Sequence, residues 1–352
     1  MNKNGIKLTD NMKKILSFAF ALAAVSFAVS CNKETAATVE TETVTFSIEL
    51  PGAIQSKAIA DGTKAVKLLY ATYTEGGKLL ESLSKTDINN AELIEVNAEG
   101  KKAAEVNLRL VKDIKYHVVF WAQSENCTAF EFDWKENKTM TVSYEGAAND
   151  DLRDAFYAVV NNVVFYNNVG YPMGDIEGVS QNCSTVSLKR PFAQINFGAS
   201  DYDSVTEYYT PESIAEKMTS AFACTSFPNT LYLLTSEVKG SAPANFKAAQ
   251  IPSETTVLTV GDVDYRWVAM NYILAPKKDE VSTNLYKVTG TFTYKDENNN
   301  TEKPDIDRSI VVNNVPIHKN YRTNILGNFF TVETPFTVIV EEAFEGDLLP
   351  QQ

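Results

Sequence analysis

The sequence predicts an all-β protein built from β-sandwiches and exported from the cell. Three observations support this: alternation of apolar and polar residues, short apolar runs separated by turn residues, and 16 Tyr and 19 Phe residues. Alternation with a period of two indicates half-buried strands, and aromatic residues are enriched in strands. Many short strands at this spacing are typical of β-sandwiches.

The N-terminus predicts a lipoprotein signal peptide over residues 1–31. Basic residues at Lys13 and Lys14 precede an apolar run, residues 15–29, which is shorter than the ~20 residues that a membrane-spanning helix needs. Small residues end this run at Cys31, as in a bacterial lipobox, so Cys31 is the predicted site of lipid modification. The alternative is ordinary cleavage near Ser30, which would leave Cys31 unmodified.

The mature chain is predicted to begin with a tether and a first β-sandwich. Residues 32–43 are rich in Thr, Ala and Glu, which predicts a solvated tether. The first sandwich is predicted over residues 44–182. It opens with a strand at 44–50, in which every second residue is large and apolar. The nearly continuous apolar run at 116–122 predicts a strand buried on both faces.

A second β-sandwich is predicted over residues 183–347, after a polar connector. Pro191 lies inside its first run, 186–197, which predicts a bulge or an edge position. Its one helix is predicted from Thr210 as N-cap and Pro211 at the first helical position, continuing through Phe222.

The last predicted strand carries the alternating apolar residues Phe336, Val338 and Val340. Its pattern matches that of the first strand at 44–50, so either strand could fill a groove of matching pockets.

The charge balance excludes one class of partner. The chain has a formal net charge of −13, from 45 acidic and 32 basic residues. Nucleic acid is therefore not an expected partner, because binding a polyanion needs a basic face. An acidic balance suits a surface protein that faces water.

The cysteines match no zinc pattern. Besides Cys31 they are Cys127, Cys183 and Cys224. A Cys127–Cys183 disulfide and buried free thiols are both compatible with the sequence.

No catalytic residue, metal site or cofactor is predicted. His117 lies in an apolar run and His318 in a turn, and neither has a second ligand at metal spacing. No nucleophile elbow, phosphate loop or dinucleotide motif is present, although a triad built from distant residues stays open. The acidic cluster at 149–154 predicts either a calcium site or a solvated surface and helix start.

Several segments give the chain a resemblance to the fimbrillin superfamily, the subunits of type V pili on certain Gram-negative anaerobes. These segments are the lipobox ending at Cys31, Ser56-Lys57-Ala58-Ile59-Ala60-Asp61-Gly62, Arg153-Asp154-Ala155-Phe156-Tyr157, Leu188-Lys189-Arg190-Pro191-Phe192-Ala193 and Asn320-Tyr321-Arg322-Thr323-Asn324-Ile325-Leu326-Gly327-Asn328.

The resemblance implies a fold, a location and a mode of assembly. The fold would be two tandem transthyretin-like Greek-key β-sandwiches, and the location the outer-membrane surface and the fimbrium. In stalk subunits a protease cuts after a basic residue near the first strand, and the C-terminal strand of a neighbouring subunit fills the vacated groove.

Each part of that assembly has a counterpart here. Lys57 stands at the processing position, where the family usually has arginine. An arginine-specific protease would not cut after this lysine. The strand at 44–50 would leave, and Phe336, Val338 and Val340 would form the donor or closing strand. The departure at Lys57 is common in tip or anchor subunits.

Two functions are therefore predicted. The first is a fimbrial subunit, structural or adhesive, whose partners are other pilus subunits and a host or bacterial surface ligand. The alternative is a surface lipoprotein that does not polymerise and binds glycan or host protein. In that case Trp134 or Trp267 would stack on a sugar, although such residues are more often part of the core.

Overall fold

The computed structural model describes residues 40–51, 62, 64–97, 101–166, 169–172, 185–206, 209–252, 257–278, 285–295, 305–331 and 335–342. Its strands are β1 Thr41–Glu49, β2 Lys67–Thr74, β3 Glu92–Leu93, β4 Glu95–Val96, β5 Lys102–Val111, β6 Lys115–Gln123, β7 Phe130–Asp133, β8 Thr139–Val142, β9 Phe156–Tyr166, β10 Val169–Pro172, β11 Thr185–Ser187, β12 Phe192–Ala199, β13 Thr219–Phe227, β14 Thr230–Tyr232, β15 Val238–Lys239, β16 Ala242–Gln250, β17 Val257–Val260, β18 Val263–Leu274, β19 Leu285–Tyr294, β20 Ile306–Pro316, β21 Tyr321–Gly327 and β22 Thr337–Glu342. Helices are short: α1 is Tyr202–Thr206, α2 is Pro211–Lys217, and single 3₁₀ turns lie at Glu81–Leu83, Ile88–Asn90 and Asp151–Arg153.

Two sheets pack together in the N-terminal half. Sheet A has the strand order β11-β1-β5-β4 and sheet B has the order β10-β9-β6-β2-β3. Their inward side chains form one apolar cluster, in which Phe46 of β1 and Phe120 of β6 are 0 % exposed. The neighbouring Trp121 points to the other face of sheet B and is also 0 % exposed. The prediction that residues 116–122 form a strand buried on both faces is therefore confirmed.

Two further sheets pack together in the C-terminal half. Sheet D has the order β17-β18-β12-β21-β22, with β12 parallel to β21, and sheet E has the order β16-β13-β19-β20. Phe197 of β12 contacts Phe222 of β13 and Phe292 of β19, with ring centroids 6.5 and 5.8 Å apart. The all-β sandwich fold predicted from the alternation is confirmed by these layers.

A fifth sheet, sheet C, joins strands from both halves of the chain. Its order is β15-β14-β8-β7, and the register pairs Leu231 with Met140. Both residues are fully buried, and Phe130 and Phe132 of β7 lie with their ring centroids 5.2 and 5.3 Å from that of Trp121. A division into domains near Asn182 stays a prediction, and sheet C is formed by strands on both sides of it.

The predicted helix is present but shorter than expected. Thr210 is the N-cap, since its hydroxyl accepts a hydrogen bond from the Ser213 amide, and Pro211 begins the helix. The helix ends at Lys217, however, and Phe222 lies in β13. Met218 takes an extended conformation, and the residues after it continue as a strand that buries alternate side chains in the core.

The run predicted at 186–197 is split in two. β11 belongs to sheet A and β12 to sheet D, so Pro191 lies where the chain crosses between the sheets rather than at a bulge or an edge. Its missing amide costs no ladder hydrogen bond at this position. Among the helices of the described residues, none is long and apolar enough to cross a membrane.

Candidate functional site

The slot that β1 occupies in sheet A is the first candidate site. β1 pairs antiparallel with β5 along its whole length and parallel with β11 at its C-terminal end. Val44, Phe46 and Ile48 are 0 % exposed, and the Phe46 ring centroid lies 5.3 Å from that of Phe120. Loss of β1 would therefore unpair both neighbours and empty three positions of the core.

The chain after β1 is fixed to the sandwich at two points. The Leu50 amide donates to the Lys102 carbonyl at 3.0 Å, and Gly62 is buried with a φ of 78°. A side chain at Gly62 would place its Cβ 2.7 Å from the ring of Phe156. Lys57 lies between these points, outside the described residues, as Cys31 also does.

Residues from four of the segments that carry the resemblance to the fimbrillins meet around one buried ion pair. Arg190 donates from Nε and Nη2 to the two carboxylate oxygens of Asp154 at 2.6 and 2.7 Å, and both side chains are almost fully buried. The guanidinium lies 4.4 Å from the ring centroid of Phe156. The Arg190 amide donates to Asn320 Oδ1 at 3.3 Å. Because Gly62 packs on the same groups, this cluster joins the chain after β1 to the start of sheet D.

The second candidate site is the position of β22 on β21. Within the described residues, β22 pairs with β21 alone and stands at the edge of sheet D. Val338 and Val340 are half-buried, as is Phe336 just before the strand. Gly327 leaves room for this ring, since a Cβ there would lie 2.6 Å from Phe336 Cδ1.

Asp201 holds the turn that leads from β21 toward β22. Its carboxylate accepts hydrogen bonds from the amides of Phe329, Phe330 and Thr331 at 2.8 to 2.9 Å, and from the Thr331 hydroxyl at 2.9 Å. Asp201 is 8 % exposed. The sequence analysis did not single out this residue, because an Asp after a strand is a common turn residue with no distinctive pattern.

The two histidines do not lie together, and each contacts neighbouring groups of the fold. His117 Nδ1 lies 2.9 Å from Asn161 Oδ1, and Nε2 lies 3.3 Å from the Glu75 carbonyl oxygen. His318 is buried against Tyr321, and its burial together with the nearby Lys278 lowers its pKa. Neither ring hydrogen-bonds a carboxylate in the part of the chain that the structure describes.

The acidic cluster at 149–154 is a turn that ends in the buried ion pair. Asp150 caps the 3₁₀ turn by accepting from the Leu152 amide, and Asp154 points inward to Arg190. Asn149 Oδ1 accepts from the Met270 amide at 2.9 Å. The cluster is therefore a helix start, the second of the two alternatives. No group of metal-binding side chains occurs among the described residues.

The two tryptophans considered for sugar stacking are part of the core. Trp134 is 8 % exposed and stacks on Phe132 with ring centroids 4.6 Å apart, and Trp267 is 6 % exposed. Neither offers an open ring face to a sugar. Cys127 and Cys224 are free thiols whose pKa burial raises, and Cys183 lies outside the described residues.

Solved structures of fimbrial proteins are similar to this chain at low sequence identity. A fimbrial assembly protein from Parabacteroides distasonis is 14% identical with a TM-score of 0.39, covering 86% of this chain and 97% of that one. The tip fimbrial protein from Porphyromonas gingivalis is 11% identical with a TM-score of 0.38, covering 85% and 99%. The fimbrial anchor protein from the same organism is 12% identical with a TM-score of 0.36, covering 86% and 99%.

None of these likenesses identifies this chain. No curated protein matches the sequence significantly. A family profile does match, over residues 35–352, and its description is a family of unknown function, DUF6562. The match spans nearly the whole chain, and the protein therefore belongs to the family DUF6562.

Proposed function

We propose that the protein is a fimbrial subunit that joins other subunits by strand addition, as a structural or adhesive component of the fimbrium at the tip or the anchor position. Lipid modification at Cys31 would hold it at the outer-membrane surface. Other pilus subunits are its proposed partners. No catalytic role is proposed. The fimbrial proteins named above are consistent with this role.

One observation carries the proposal: β1 fills the groove between β11 and β5. All of its ladder hydrogen bonds run to other strands, and its apolar face inserts Val44, Phe46 and Ile48 into the core. Each buried large side chain contributes roughly 1.5–3 kcal/mol. A chain that has lost β1 would expose both a sheet edge and an apolar groove, which an alternating strand from another chain could cover.

The position of Lys57 is consistent with removal of β1. It lies between β1 and Gly62 along the chain, so a cut there would sever the covalent link between β1 and the rest of the sandwich. Lysine at this position suits an enzyme with trypsin-like specificity for lysine. The same departure from arginine favours a tip or anchor subunit over a stalk subunit.

Limited trypsin digestion tests the proposal. We expect a first cut after Lys57, a new N-terminus at Ala58, and SDS-resistant ladders of the nicked protein. The variant Lys57→Gln should resist this cut and form no ladder, which controls for cleavage at other lysines. A nicked protein that retains β1 and stays monomeric would contradict the proposal and favour the surface lipoprotein that does not polymerise.

A further inference from the structure

The position that β1 occupies is a slot with two walls, β5 and β11. The last residues of β1 contact both walls at one end of the slot. On one side, the Leu50 amide donates to the Lys102 carbonyl of β5 at 3.0 Å. On the other side, the Leu188 amide, one residue after β11, donates to the Glu49 carbonyl at 2.9 Å. Both walls are therefore connected to β1 at its C-terminal end.

A turn after Lys57 is bound to the β5 wall. It is formed by Gly62 and Ala65, and we call it the return turn. Lys102 Nζ donates to the carbonyls of Gly62 and Ala65 at 3.0 and 3.4 Å. The Ala65 amide donates to the Gly62 carbonyl at 3.2 Å, and Ala65 is fully buried. Lys102 therefore holds the end of β1 with its carbonyl and the return turn with its ammonium.

The return turn also packs on the residues that follow β11. A Cβ on Gly62 would lie 2.7 Å from the Phe156 ring and 3.3 Å from Arg190 Nη2, so this close approach needs glycine. Arg190 stands two residues after Leu188, and its ion pair with Asp154 fixes its position. The return turn is therefore in contact with the β5 wall and with the continuation of the β11 wall.

These contacts would outlast the loss of β1. Every group in them follows Lys57 in the sequence, so a cut after this residue would leave them intact. The empty slot would separate two unpaired strand edges by about 10 Å, which is twice the spacing of paired strands. Such edges tend to pair with any strand within reach, including each other, and pairing of β5 with β11 would close the slot. A turn fixed to both walls opposes that closure.

We propose that the return turn, contacted by Lys102 and Arg190, is a brace that holds the walls of the β1 slot apart after β1 has left. The inference rests on the proposed removal of β1 and adds the residues that keep the groove ready for its next strand. Lys102 and Gly62 are thus positioning residues, which act on an incoming strand through the width of the slot. Their contacts remain when a strand is bound, so the brace affects the entry of a strand and not its exit.

Strand exchange in the cut chain tests the brace. The full chain is cut after Lys57, freed of its N-terminal fragment by gel filtration in mild denaturant, and diluted into a fluorescent peptide of residues 41–51. Lys102→Met keeps the backbone carbonyl and most of the side-chain length but removes the ammonium. We expect the peptide to associate with this variant at least about tenfold more slowly, the factor that corresponds to the loss of one hydrogen bond from a charged donor. Its dissociation rate should stay unchanged.

A second variant and a control accompany this measurement. Gly62→Ala should slow association in the same way, because its Cβ would clash with the Phe156 ring, and it serves as the test if Lys102→Met does not fold. Lys115→Met is the matched control, since Lys115 is a partly exposed lysine of β6 that pairs with Glu75. Association with this control should equal that of the unaltered cut chain.

Three results would overturn the inference. Equal association rates in all of these proteins would overturn the brace and leave strand addition intact. Faster dissociation with an unchanged association rate would also overturn it, because the residues would then only stabilise the bound strand. A cut chain of unaltered sequence that binds no peptide would overturn strand addition at this slot together with the brace.

Discussion

The first and last described strands, β1 and β22, have the same alternating pattern but different surroundings. β1 has strands on both sides, and Val44, Phe46 and Ile48 are fully buried. Among the described residues β22 pairs with β21 alone, and Phe336 and Val338 are half-buried. The similar patterns predicted interchangeable roles, and that equivalence stays a prediction. In this structure β1 is a core strand and β22 is an edge strand.

This difference implies different costs of removal. A strand with three fully buried side chains leaves a large apolar groove when it departs, and the remaining chain is stable only if the groove is filled. A half-buried edge strand exposes less apolar surface when it detaches, and it can exchange more readily. We therefore expect β1 to need a covalent cut before it leaves, whereas β22 can detach in the intact chain.

The largest expected effect comes from truncating the side chain at the centre of β1. Phe46→Ala removes a fully buried ring that packs on Phe120, which should lower the free energy of unfolding by about 3–5 kcal/mol. Urea denaturation followed by tryptophan fluorescence measures the change. A loss below about 1 kcal/mol would contradict the assignment of β1 to the core.

A matched valine pair compares the two strands directly and remains informative if Phe46→Ala fails to fold. Val44→Ala in β1 should cost about 2–3 kcal/mol, and Val338→Ala in β22 about 1 kcal/mol or less, because Val44 is fully buried and Val338 is not. Equal losses would remove the distinction between the strands.

A smaller effect is expected at the turn before β22. Asp201→Ala leaves the amides of Phe329, Phe330 and Thr331 without their acceptor, which should cost about 1–3 kcal/mol. Hydrogen exchange should rise in β22 and stay unchanged in β1. Asp203→Ala is the control, since that carboxylate is exposed on α1. Faster exchange in β1 would show that the turn does not act on β22 selectively.

The smallest expected effect is a dependence of folding stability on pH that arises from His318. Its pKa is lowered in the folded chain, so the unfolded chain takes up a proton first as the pH falls below about 6.5. Stability should therefore fall with pH below that value, by at most about 1.4 kcal/mol for each pH unit. Melting temperatures at pH 7.5 and 5.5 measure this loss of stability. The variant His318→Gln should reduce the dependence on pH, and the control variant His117→Gln should retain it. An unchanged dependence in His318→Gln would assign the effect to other groups.

Alternation of apolar and polar residues predicted the strands that have one clear apolar face, but it did not predict others. β1 was predicted because its polar residues face outward. β21 was missed although its residues were quoted for the family resemblance, because Arg322, Thr323 and Asn324 are polar and yet buried. They are tolerated inside because partners such as Gln194 and Asn196 on β12 satisfy their hydrogen bonds. Such partners are distant in sequence and become visible only in the folded chain.

Some features of the candidate sites could be predicted from the sequence, and others could not. The last strand and its apolar positions, Phe336, Val338 and Val340, follow from sequence alternation alone. Asp201 and the contact between Asn324 and Glu341 do not, because each depends on strand register and on turns that bring distant residues together. The ion pair between Asp154 and Arg190 lies between two segments that the resemblance marked, but the sequence did not pair them.

Sheet C has a consequence for the order in which the chain would fold if it is exported, as the proposed lipid modification at Cys31 requires. If the chain crosses the membrane with its N-terminus leading, the β7–β8 hairpin emerges long before β14, which completes the edge of β8. Until then Met140 lacks its partner Leu231, and a row of backbone groups stays unpaired. Pairing of such distant segments is slow. Under that proposal a half-exported chain would carry an unpaired strand edge, which a holding chaperone would need to shield until residue 232 has arrived.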